Sequence, residues 1–127
     1  MDFKRQKAIY MQIADYILEN ILARKIQQGE KIQSVREMAS TVQVNPNTIQ
    51  RSYNYLQEQE IIVNQRGIGF FVAEDALSKT QDLKKSSFIK QELPHIFKMM
   101  NLLNMSFDDL KEIQSKISSN GSKADES

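Results

Sequence analysis

The sequence predicts a mainly α protein with one small β-hairpin, and three observations carry that prediction. Two short helices, each with its own start signal, meet at a tight turn within Ser34–Arg51. A hairpin pattern follows directly at residues 61–72, and a second apolar helical stretch, interrupted at Pro94, fills much of the remainder. Paired helices joined by a turn of about four residues form a helix-turn-helix, and a hairpin placed behind one becomes a wing. The expected organisation is a winged helix-turn-helix over residues 1–74, a helical dimerisation segment over 75–117, and a polar, disordered tail over 118–127.

In chain order, residues 7–25 form the first helix. Ile9, Ile13, Ile17 and Ile21 repeat at four, as do Tyr10, Ala14, Leu18 and Leu22, making a wide apolar stripe. Asp15, Glu19, Asn20 and Arg24 take the other side, and Arg24 with Lys25 suits the negative end of the helix dipole. This helix reads as scaffold. Gly29 breaks the pattern, and Lys31-Ile32 are placed in a very short strand.

Ser34 followed by Glu37 is a capping box, in which each side chain satisfies a free backbone N–H. Val35, Met38, Ala39 and Val42 behind it mark one buried helical face. Asn45 is a good N-cap, and Pro46 occupies the first helical position, where its missing N–H costs nothing. Val44 and Ile49 stand at the positions of a hydrophobic staple. At about 100° per residue, Ile49, Ser52, Tyr53 and Leu56 share one side of this helix, with Asn47, Gln50, Arg51 and Asn54 on the other. Amides and a guanidinium pair two hydrogen bonds with adenine and guanine edges in a major groove. Polar residues opposite a buried stripe also describe an ordinary solvated face, so the context has to decide.

That context includes the hairpin. Ile61-Ile62-Val63 and Phe70-Phe71-Val72 are β-prone, and Asn64 to Gly69 form the turn. At its tip, Gly67 allows close backbone approach, and Arg66 beside it suits a narrow minor groove or a phosphate. An ordinary hairpin with a charged tip is the plainer alternative.

Composition narrows the classes. At 127 residues with 40% hydrophobic content, the chain builds one small core. No run nears the roughly 18 apolar residues of a membrane span, and the start MDFKRQKAIYMQ lacks the apolar block of a signal peptide, so the cytoplasm is expected. Cysteine is absent, which excludes disulfides and thiolate chemistry. The net charge of +1 argues against a sequence-blind DNA coater. A lone histidine, His95, makes a poor metal site, and adjacent Asp108 and Asp109 are explained by a helix start. No nucleophile elbow, phosphate loop or zinc spacing occurs, so neither an enzyme nor a cofactor is expected.

Together, AIYMQIADYI, SVREMA, VNPNTIQRSYNYL and RGIGFFV resemble the GntR family of bacterial transcription regulators over about residues 8–73. The run VNPNTIQRSY is similar to the YtrA-type branch, whose short helical tail replaces a large sensor domain. The resemblance implies a dimeric regulator, a repressor in the favoured reading, on a two-fold symmetric DNA operator. By motif position it implies DNA contacts at Arg36, Asn45, Asn47, Thr48, Gln50, Arg51, Arg66 and Gly67. Ser34 joins them as a weaker candidate already explained by capping. Gln28 and Gln33 stand where the family usually has proline, and Gln43 and Glu60 where it often has glycine. A left-handed Gln43 would carry about 1 kcal/mol of strain.

Residues 74–117 read as further helix. Phe88, Leu93, Ile96, Phe97, Met100 and Leu103 are the candidate dimerisation residues, with Pro94 either kinking one helix or separating two. Ser106 with Asp109 starts another helix, with Phe107, Leu110, Ile113 and Ile117 on one face. This apolar surface exceeds what two helices hide unaided, which points to a second subunit. Met99, Met100 and Met105 fit flexible packing or the lining of an effector pocket, and the sequence names no effector. The alternative function is a winged-helix protein-interaction module that docks another protein through its tail.

Overall fold

The structure, a computed structural model, describes residues 7–125. It divides into two compact units, Met1–Lys84 and Lys85–Ser127, so the first unit runs past the boundary expected after residue 74. Helix α1 (Ile9–Leu22) buries Ile13, Ala14, Ile17, Leu18 and Ile21, the middle of the predicted stripe. Ile9 at its start is exposed. The helix ends before Arg24, whose φ of +60° turns the chain, so Arg24 and Lys25 lie beyond the last turn and not in it.

Helix α2 (Val35–Val42) begins with the predicted capping box: Glu37 N–H donates to the Ser34 hydroxyl at 3.1 Å, and Ser34 N–H donates to the Glu37 carboxylate at 3.0 Å. It ends at Gln43, which is left-handed (φ +54°, ψ +53°). Helix α3 (Pro46–Glu58) starts at Asn45, whose side-chain oxygen accepts from Asn47 N–H at 2.8 Å. Ile49, Ser52, Tyr53 and Leu56 form its buried side, as the periodicity predicts. Burying a large apolar side chain fully contributes about 1.5–3 kcal/mol, so this face fixes the helix's rotation about its own axis.

Strands β1 (Ile62–Gln65) and β2 (Gly69–Val72) pair antiparallel, with Ile62 opposite Val72 and Gln65 opposite Gly69. The strands reach further toward the tip than predicted and leave only residues 66–68 in the turn. The short strand expected at Lys31-Ile32 is present as a single bridge to Phe71, extended by Ile32 N–H to Phe70 O at 2.9 Å. Helix α4 (Ala76–Ser87) buries Ala76 and Thr80, and Lys84 donates to Asp15 of α1 at 2.8 Å, which explains why the first unit reaches Lys84.

In the second unit, Phe88–Glu92 form a π-helical turn leading into α5 (Leu93–Leu102). Leu93 N–H donates five residues back, to Phe88 O. Pro94 has no N–H to give, and its ring crowds the carbonyl four residues earlier; the wider turn relieves both problems. The proline therefore neither merely kinks nor cleanly breaks the helix: a π turn precedes it. Helix α6 (Phe107–Asp125) opens with the predicted cap, Asp109 N–H donating to the Ser106 hydroxyl at 3.1 Å. It continues past Ile117 to Asp125, where a disordered tail was expected from residue 118; the last two residues of that tail lie outside the described residues. Residues 118–120 are exposed, so backbone bonding rather than side-chain packing carries the helix there. Among the described residues, no helix is long and apolar enough to cross a membrane.

Candidate nucleic-acid interface

The candidate interface is built outward from Tyr53. This residue is fully buried, its ring meets Phe70 of β2 edge-on at 5.0 Å, and its hydroxyl donates to Gln33 O at 2.6 Å. One side chain thus ties α3 both to the hairpin and to the segment that enters α2. Ile61 N–H donates to Leu56 O and Ala73 N–H to Ile61 O, each at 2.9 Å, so the hairpin's base is fastened to the end of α3. Burial pushes the Tyr53 phenol up to about 12, with the Glu37 charge adding to the effect, and keeps it a donor into the alkaline range.

With the buried side held in this way, Asn47, Gln50, Arg51 and Asn54 are all exposed. The Gln50 amide donates to the Asn54 side-chain oxygen at 2.9 Å, which orients both groups along the surface of the helix. Asn45 is exposed, but its side-chain oxygen is engaged as the cap and only its NH₂ is free for a ligand. Thr48 is half-buried, and Arg36 of α2 is exposed. Ser34 is half-buried and its hydroxyl serves Glu37. Backbone and hydroxyl hydrogen bonds from Ser34 hold the Glu37 carboxyl below its usual range, helped by the Lys31 charge.

At the wing tip Arg66 and Gly67 are exposed, and Gly67 has a φ of +80° with open space around the position a Cβ would take. A side chain is excluded there by backbone strain and not by crowding. At Gly69 the backbone again disfavours a side chain, with φ at +139°, while the nearest atom to a Cβ, the Lys31 Cε at 2.8 Å, is the end of a flexible side chain that can shift aside. Lys31 therefore runs along the hairpin backbone and places a cation beside the wing, which its position in a short strand does not by itself indicate.

The sequence also left out Tyr10. Its ring on α1 lies under the Arg51 guanidinium, with 4.0 Å from Cζ to the ring centroid. The Ser52 hydroxyl donates to the Tyr10 carbonyl at 2.7 Å. Tyr10 belongs to the apolar stripe of its own helix, and no local pattern connects it with a residue 41 positions later.

In the second unit, Phe88, Phe97 and Leu103 of the expected dimerisation set are exposed and Leu93 and Ile96 half-buried. Met100 is buried within the single chain, which removes it from the free face. Phe97 and Phe107 meet edge-on at 6.0 Å, and Leu102, Leu110, Ile113 and Ile117 add further exposed apolar surface.

A helix-turn-helix with a polar exposed face on its second helix and a hairpin locked behind it defines a winged-helix DNA-binding protein. The sequence profile of the bacterial regulatory proteins of the gntR family matches residues 9–72, α1 through β2. The HTH-type transcriptional regulator YhcF of Bacillus subtilis, itself uncharacterised, is 37% identical over 87% of this chain and 89% of its own. The HTH-type transcriptional repressor YtrA of the same organism is 30% identical over 93% and 90%. A crystal structure described as a GntR-family transcriptional regulator from Bacteroides thetaiotaomicron superposes with a TM-score of 0.78, at 40% identity over 90% of this chain and 99% of that one. The chain belongs to the GntR family, in its YtrA-type branch. It is a DNA-binding transcription regulator and not an enzyme.

Proposed function

We propose that the protein is a cytoplasmic repressor that binds a palindromic operator as a homodimer. Asn47, Gln50 and Arg51 read base edges in the major groove, and Arg36, Asn45, Thr48, Arg66 and Gly67 contact the duplex around them. The observation that carries this reading is the division of α3. Four residues are buried to fix the helix, and the opposite side offers three hydrogen-bonding amides and a guanidinium with no aromatic anchor. A protein-docking face would favour such anchors, which argues against the interaction module.

The homodimer is supported by the second unit, whose exposed apolar residues from Phe88 to Ile117 exceed what a solvated helical pair normally leaves uncovered. The repressor role draws on the 30%-identical relative, which is named as a repressor. The test is titration of Asn47→Ala on operator and scrambled duplexes. A loss of about 1–3 kcal/mol confined to the operator is expected for a base-reading side chain. Unchanged affinity on both duplexes removes Asn47 from the interface.

A further inference from the structure

We infer that Tyr10 is a positioning residue for DNA recognition: its ring holds the Arg51 guanidinium so that the N–H edge addresses a guanine in the major groove. The inference rests on α3 being the recognition helix and adds a residue from α1 that no motif assigns.

Arg51 is exposed, and an arginine on a helix surface ordinarily samples many rotamers. Here its Cζ sits 4.0 Å above the Tyr10 ring centroid, within the range of a cation–π contact. A cation–π contact uses the charge of the guanidinium and pairs none of its five N–H donors with a hydrogen-bond acceptor. The group is thus restrained without losing hydrogen-bonding capacity, the condition under which a bidentate contact to guanine O6 and N7 forms with little ordering cost.

The platform is itself fixed. Tyr10 is half-buried, and its carbonyl accepts from the hydroxyl of Ser52, the residue next to Arg51, at 2.7 Å. Ser52 is fully buried, so the start of α1 and the middle of α3 are joined at the point where the ring and the guanidinium meet. Neighbouring carboxylates do not draw the guanidinium away: among the described residues, none forms an ion pair with Arg51.

The experiment is a double-mutant cycle on the full-length chain, read by gel shift. Its probes are a duplex selected from a random pool by this protein and a scrambled duplex. Tyr10→Leu should weaken binding to the selected duplex by about three- to tenfold and leave the scrambled duplex nearly unchanged. Tyr10→Phe, which keeps the ring, should bind like the parent. In an Arg51→Ala background, Tyr10→Leu should cost nothing more, because the group it positions is gone. A purely structural tyrosine would instead show the same loss in both backgrounds, and that outcome overturns the proposal. So does full affinity in Tyr10→Leu. If Arg51→Ala alone loses nothing on the selected duplex, the reading of Arg51 as a base contact fails together with the proposal. If Arg51→Ala weakens both duplexes equally, Arg51 is a phosphate contact and the guanine-directed role is refuted.

Discussion

The phenol of Tyr53 donates a 2.6 Å hydrogen bond to the backbone carbonyl of Gln33, the residue just before the α2 cap. Because Tyr53 also meets Phe70 edge-on, the orientation of α3 against α2 and the wing passes through this one side chain. Tyr53→Phe should keep the ring packing and lose the hydrogen bond, lowering stability by about 0.5–1.5 kcal/mol in denaturant titrations. Burial of the same phenol, with the Glu37 charge nearby, predicts a pH dependence. The phenol rises from 10.0 to about 12 on folding, so the folded chain keeps a proton that the unfolded chain has released in between. Stability from this group is complete below pH 10 and is lost as pH rises toward 12. The alkaline slope should be shallower in Tyr53→Phe than in the parent.

Gln43 and Glu60 both adopt left-handed backbone, with φ of +54° and +60°. Substituting glycine at Gln43 should raise stability by about 0.5–1 kcal/mol, the relief of the Cβ clash less the added freedom of the unfolded chain. Glu60→Gly should gain less, because it gives up the exposed 2.9 Å ion pair with Lys79. Melting temperatures of the two variants check the order. A lower melting temperature in Gln43→Gly would show that the turn is held by contacts of the glutamine side chain.

The capped starts of α2, α3 and α6 were legible because capping is a local contract between a side chain and a backbone N–H one turn away. The two sides of α3 were legible because burial follows the helical period. What the sequence hid is tertiary. The Tyr10–Arg51 stack and the path of Lys31 over Gly69 join residues far apart in the chain. The extent of the first unit was hidden for the same reason. Asp15 on α1 receives Lys7 at 2.7 Å and Lys84 at 2.8 Å, a link made only after folding. Burial pushes the Asp15 carboxyl up, but hydrogen bonds from both lysines outweigh it and leave it below the usual range. Met100 shows the converse limit, since periodicity marks an apolar residue without saying whether its own chain or a partner covers it.

This link sets where the chain can be cut. A chain ending at Lys84 keeps buried Ala76 and Thr80 and the Asp15 contact, and should melt cooperatively. One ending at Asp75 should be less stable, by about 1–3 kcal/mol of lost burial. The chain ending at Lys84 should sediment as a monomer and bind the operator at least about tenfold more weakly than the full chain, having lost the second half-site contact. Phe97→Glu in the full chain should reproduce that loss, since Phe97 is an exposed part of the apolar face. A dimeric truncated chain would move the interface into the winged domain.

The most direct measurement is selection of bound duplexes from a random pool by the purified full-length protein, followed by sequencing. Two copies of α3 related by a two-fold axis should enrich a palindrome, with half-sites about one helical turn apart or a multiple of it. Enrichment of a single asymmetric site would contradict the symmetric dimer, and a pool left unenriched would contradict sequence recognition by α3 itself.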